Sequence, residues 1–154
     1  MKHLVLLAVT SLTFASAAVA EGDATKGKSV FGKCKACHSI ADPEGNVLVK
    51  GGRTGPNLYG LMGRQAGSVD YRFSSALVSA GEDGLIWDEA QTAAFVADPR
   101  GFLKSLGGSN KTKMTFKLRK GGADVAAYLA TFGDVPVVET VEGEADTSGE
   151  TASE

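Results

Sequence analysis

Apolar positions fall along this chain in three regimes. Residues 4–20, LVLLAVTSLTFASAAVA, are apolar or small and carry no charge. Between residues 21 and 133 apolar side chains recur at helical spacing within short segments, separated by long glycine-rich polar stretches. From 134 to 154 they thin out to one short patch at Val135–Val138. In the middle regime the period is helical rather than alternating. Asp23 is placed to cap a first helix running to about Lys35, with Gly27 and Phe31 one turn apart on one face. A short second helix is predicted over Ser74–Ser79. Asp88 caps a third, EAQTAAFVAD, which must stop before Pro99 because the residue preceding a proline disfavours the α region. Pro99 suits the first turn of a fourth, PRGFLKSL. The last helix, about Gly122 to Phe132, aligns Val125, Tyr128, Leu129 and Phe132. No segment reads as a strand, and stretches such as ADPEGNVLVKGGRTGPNLYG have no period at all. Five short helices with loops this long make a poor core unaided, and such loops usually carry function or wrap something.

The first regime has the layout of a secretory signal peptide. Lys2 precedes the apolar run, Ala18-Val19-Ala20 forms a small-x-small cleavage site, and Glu21 follows. Ala15-Ser16-Ala17 is a second possible cut, and the bland alternative is an uncleaved anchor, weakened by Thr10, Ser11, Thr13 and Ser16. Residues 1–20 are therefore expected to be removed, leaving a soluble exported chain, since no later segment is apolar enough to span a bilayer. Charge separates the other two regimes. Residues 21–133 hold 15 Lys and Arg against 11 Asp and Glu, a net of +4, whereas residues 134–154 hold seven acidic residues and no basic one. That tail has no aromatic residue and too little apolar surface to balance its ordering entropy, so it is expected to be disordered. Solubility is its simplest role; folding back over a basic face is the sharper one. The folded domain is then 21–133. Its modest net charge argues against nucleic-acid binding.

One short segment concentrates the chemistry. CKACHSI, residues 34–40, contains both cysteines, and its His38 is the only histidine besides His3 in the leader. In an oxidising compartment two thiols so close would not stay free. A dithiol redox motif would sit in a βαβ pattern, and these surroundings are helical. A structural zinc site needs four ligands, and the exported chain supplies no further Cys or His. C-x-x-C-H is the haem c attachment signature: the two thiols add across the haem vinyl groups, and the adjacent histidine is held under the iron. On the opposite face the remaining candidates are Met62 and Met114. Met62 lies among apolar neighbours in LYGLMGR, as a core filler would, whereas Met114 lies in the polar loop GGSNKTKMTFKLRKGG and is favoured.

With these residues in place, the chain resembles the class I c-type cytochromes, close to the bacterial cytochrome c2 and c550 group that parallels mitochondrial cytochrome c. The likeness covers about residues 22–132 and rests on five motifs in the family order: GDATKGKSVFGKCKACH, TGPNLYGLMGR, LIW, KTKMTF and ADVAAYLATF. It implies an all-α fold of about five short helices and long loops wrapped around one covalent haem c. The N- and C-terminal helices would cross through Gly27, Phe31, Val125 and Tyr128. It also implies that Cys34 and Cys37 form the thioethers and that His38 and Met114 are the axial iron ligands. Pro56 would accept the free N–H of the histidine ring. Arg64, Trp87 and Thr112 match groups that bond the haem propionates, and Phe116 an aromatic residue beside the exposed haem edge. Three positions depart from the pattern. Phe95 and Phe73 stand where the family commonly has tyrosines, although Tyr71 is near enough to replace the second, and Leu77 stands for a frequent asparagine. A drier pocket is expected.

The resemblance implies a monomeric electron carrier in the periplasm rather than an enzyme. It would accept electrons from a cytochrome bc1 complex and pass them to a terminal cytochrome c oxidase or a photosynthetic reaction centre. Lys33, Lys35, Lys50, Lys104, Lys111, Lys113 and Lys117 are expected around the haem opening, where they would steer an acidic partner. A haem-based ligand sensor or peroxidase-like enzyme with a displaceable methionine, and a dedicated donor to one periplasmic reductase, are the alternatives.

Overall fold

The computed structural model describes residues 22–133. The leader and the acidic tail lie outside the described residues. Helix α1 spans Ala24–Val30 and begins at Asp23, whose carboxylate accepts from the backbone N–H groups of Thr25 and Lys26. It ends earlier than the sequence predicts. From Phe31 to Lys33 the coil tightens into a 3-10 turn, and single turns then continue to His38, whose N–H donates to the Cys34 carbonyl at 3.0 Å. Tightening of the last turn satisfies carbonyls that a frayed helix end leaves unpaired. Helix α2 is Ser75–Glu82, a turn longer than predicted, with Ser74 as N-cap. Helix α3 is Glu89–Ala97, capped by Asp88, and α4 is Pro99–Ser105, capped by Asp98. Helix α5 is Gly122–Ala130.

Two short strands were not expected: β1, Ile40–Ala41, pairs antiparallel with β2, Val47–Val49. Only the paired Ile40 and Val49 reach the core, while Val47 and Leu48 are exposed, so strands this short give no alternating pattern along the chain. Its turn is held by polar bonds instead. Asp42 accepts from the Asn46 backbone N–H at 2.7 Å and from its side-chain amide at 2.8 Å. Among the described residues no helix is long and apolar enough to cross a membrane.

The core forms where α1 and α5 cross, as the resemblance implies. A Cβ on Gly27 would lie 1.9 Å from the Asp124 carbonyl oxygen, so only glycine lets the two backbones approach this closely. Phe31 and Tyr128 meet with ring centroids 5.5 Å apart, and Tyr128 stacks edge-on against Phe132 at 5.0 Å. The Asp23 N–H donates to the Asp124 carboxylate across the same junction at 2.9 Å. Phe31, Val125, Leu129 and Leu103 are essentially sealed from solvent. On the far side Trp87, Phe95 and Phe102 form an aromatic cluster, with Phe95 5.2 Å from Trp87 and 5.7 Å from Phe102. Between these two packed regions the molecule is hollow.

Candidate haem site

The hollow is a cleft open on one side and lined mainly by apolar side chains. Every site residue singled out from the sequence lines it: Cys34, Cys37 and His38 from the first turns, Pro56 and Arg64 from the following loop, Trp87, and then Thr112, Met114 and Phe116. Met62 does not. It is buried in the core, only 8 % exposed, in keeping with its reading as a filler.

His38 is oriented from two sides. Its Nδ1–H donates to the Pro56 carbonyl at 2.8 Å, which leaves Nε2 with its lone pair free. Gly55 lies flat against the ring. Burial lowers the imidazole's proton affinity below the ordinary value and outweighs the opposing Pro56 bond, so the ring is a neutral ligand at pH 7. Cys34 and Cys37 are not joined to each other, which leaves both sulfurs for thioether bonds. Before attachment, burial, reinforced by the neighbouring Cys37, pushes the Cys34 thiol up to about 11. Met114, which lines the same cleft, is half-buried, and its N–H donates to the Thr112 hydroxyl oxygen at 3.2 Å. That leaves the Thr112 O–H free to donate in turn.

The upper wall is unbalanced in a way that asks for an anion. Arg64 is half-buried and gives its guanidinium to the carbonyls of Tyr59, at 3.1 Å, and Asn57, at 3.3 Å. Among the described residues the ion pairs are Lys26–Asp23 and Lys117–Asp98, so no carboxylate of residues 22–133 pairs with this half-buried cation. Burial accordingly lowers the guanidinium's proton affinity. Two hydroxyls are orphaned as well: Ser74 Oγ and Thr92 Oγ1 are buried, line the cleft and make no hydrogen bond. Ser74 occupies an N-cap position but does not cap; its hydroxyl is left unpaired while the helix N–H groups go without it. A largely apolar slot with two thiols, a presented imidazole, a thioether and unmatched donors fits an iron porphyrin carrying carboxylate side chains. Among the described residues no cluster of three or more His, Cys, Asp and Glu could hold a bare ion.

Sequence reasoning passed over three of these residues. Ser74 was hidden by its position at a helix start, where a serine needs no other explanation. Thr92 sits mid-helix and gives no signal, and Gly55 is one of 20 glycines. Tyr71 lines the cleft, but its hydroxyl donates to the Thr54 carbonyl at 2.6 Å, so its proton is not available to replace the tyrosine missing at Phe73. Phe73, Leu77 and Phe95 line the cleft, placing the three departures where they remove polar groups from it. The lysines divide. All seven are exposed, but only Lys33 and Lys113 border the cleft. Lys117 lies with Lys33 and Phe116 in an adjoining groove, where Arg119 and Lys120 join them unforeseen.

This fold, with two cysteines and the adjacent histidine lining one apolar cleft, is that of a c-type cytochrome. The comparisons narrow the class. No protein-family model matches the chain. It is 52 % identical over 129 residues to cytochrome c-551 of Roseobacter denitrificans, covering 82 % of this chain and 93 % of that protein. It is 49 % identical over 126 residues to cytochrome c2 of Rhodobacter capsulatus, covering 80 % and 91 %. The solved structure of Rhodobacter capsulatus cytochrome c2 superposes with a TM-score of 0.70 at 50 % identity, over 71 % of this chain and 97 % of that one. The chain belongs to the bacterial cytochrome c2/c-550 family. Its cofactor is one haem c bound covalently through Cys34 and Cys37, and it is an electron-transfer protein, not an enzyme.

Proposed function

We propose that this protein is a periplasmic carrier whose iron is held between His38 Nε2 and Met114 Sδ, taking electrons from a cytochrome bc1 complex. It delivers them to a terminal cytochrome c oxidase or a photosynthetic reaction centre. The observation that carries the reading is the convergence on one cleft of the two thiols, an imidazole already bonded through Nδ1 to Pro56, and Met114. Haem c supplies a reversible one-electron couple, and His/Met ligation sets it at a raised potential with no open coordination position. Pro56 fixes the imidazole plane and increases its basicity. Arg64, Ser74, Trp87 and Thr112 offer donors to the propionates, which need them because buried carboxylates without donors are costly. Phe116, 43 % exposed at the cleft mouth, leaves the haem edge within reach of a partner. Lys33, Lys113 and Lys117 make that rim positive and steer an acidic docking face.

Visible and near-infrared spectra of the purified protein test the reading. A haem c spectrum with a weak near-infrared band on oxidation, together with an N-terminus at Glu21, is the expected result. A normal haem c spectrum without that band removes Met114 as ligand, and rapid carbon monoxide binding to the ferrous protein would turn the carrier into a ligand sensor.

A further inference from the structure

Thr92 is out of place in its surroundings. It lies in the middle of α3, is 2 % exposed, and faces the cleft beside Phe95 and Val96, its neighbours at i+3 and i+4. Its backbone N–H completes the helix by donating to the Asp88 carbonyl at 2.9 Å. A helical threonine commonly turns its hydroxyl back on the carbonyl one turn earlier. This one does not, and Oγ1 is buried without any partner. A valine would fill the same space with no desolvation cost, so the hydroxyl must find its acceptor in the loaded cleft.

The acceptor is narrowed by what stands nearby. Trp87, Phe95 and Phe102 pack as rings and offer no strong acceptor. The carbonyls of α3 accept from the helix's own N–H groups, and Oγ1 bonds none of them. A trapped water needs two to four polar partners, and this stretch of aromatic wall offers it one. The segment carrying Met114 is clipped to the end of the same helix: the Leu118 N–H donates to the Val96 carbonyl at 2.7 Å, and Lys117 pairs with Asp98 at 2.7 Å. Phe95, one turn along, stands where a tyrosine would have brought a hydroxyl into this part of the cleft, so a single polar hydrogen is missing from one position and unspent at its neighbour.

We propose that Thr92 is a positioning residue for the sixth iron ligand, its hydroxyl donating a hydrogen bond to the Met114 thioether in place of the phenol absent at Phe95. The inference rests on the assignment of Met114 as that ligand. The bond is made only while the sulfur sits over the iron, so it holds Met114 in place and draws electron density from it. The test uses the holoprotein as Thr92→Val and Thr92→Ser, with imidazole added to the oxidised form and the near-infrared band followed. One lost hydrogen bond should raise the affinity for imidazole about fivefold in Thr92→Val. The reduction potential should fall in the same variant, and Thr92→Ser should restore both towards the wild-type values. Unchanged imidazole affinity and potential in Thr92→Val overturn the proposal, even if its melting temperature moves. A serine variant that behaves like valine also overturns it, because the methyl group and not the hydroxyl would then matter. A wild-type spectrum lacking the band would instead remove the Met114 assignment beneath it.

Discussion

Replacing Gly55 with alanine tests how tightly the imidazole of His38 is held. The added Cβ would lie 2.4 Å from Cε1, 2.7 Å from Nδ1 and 2.8 Å from Nε2 of the ring. Ordinary contact begins at 3.4 Å, so ring and loop must part by about 1.0 Å. A displacement of that size strains or breaks the 2.8 Å bond from Nδ1 to the Pro56 carbonyl. Gly55 is not among the glycines with positive φ, so alanine meets no backbone strain and the whole cost is steric. Overpacking costs about 1–3 kcal/mol, and the lost hydrogen bond about 1 kcal/mol. A less flexible unfolded chain returns about 0.5 kcal/mol. The net is a loss of roughly 1.5–3.5 kcal/mol. For a domain of this size that lowers Tm by about 6–14 °C. Thermal unfolding of the holoprotein, followed by absorbance or circular dichroism, reads it directly. A change in the reduction potential should accompany it, because the second ring nitrogen tunes the ligand. A variant melting within about 2 °C of the wild type, with the potential unmoved, would show that the imidazole is not clamped between Gly55 and Pro56.

Two further outcomes follow from the same geometry. Asp98 accepts from Lys117 and from the Gly101 N–H, and chiefly the Lys117 bond holds its carboxyl below the ordinary value of 3.8. The contribution is therefore complete above that value and disappears as pH falls through the lowered native one. Asp98→Asn keeps the helix cap but loses the ion pair, so its melting temperature should fall below wild type at pH 7 and converge with it in acid; a gap that persists unchanged in acid refutes the assignment. Lys113→Glu reverses a charge at the cleft mouth. Stopped-flow electron transfer to an acidic acceptor should slow on the order of threefold to tenfold at low ionic strength and recover at high salt. Equal rates at every salt concentration would move the docking face elsewhere.

Much of this molecule was legible in local order along the chain. The capping aspartates at 23 and 88 and the proline at 99 mark helix starts because their effects act within one turn. Cys34, Cys37 and His38 declare themselves for the same reason: attachment chemistry confines them to consecutive turns of backbone. Polar surroundings separated Met114 from Met62, and the structure lines the cleft with the first and buries the second. The hairpin at Ile40–Val49 stayed invisible because its strands are two and three residues long, with one buried pair, and its turn is fixed by hydrogen bonds between Asp42 and Asn46. Whether a polar group has a partner is likewise settled only after distant segments meet. Arg64 bonded to carbonyls and to no carboxylate among the described residues, the unpaired hydroxyls of Ser74 and Thr92, and the Tyr71 proton given to Thr54 all depend on what folding places beside them. The sequence by itself determined where the helices start and where the haem is anchored, which rest on short-range spacing and side-chain chemistry. Only the tertiary structure decided which donors remain unspent in the cleft, because satisfaction of a buried group is a property of its neighbours in space.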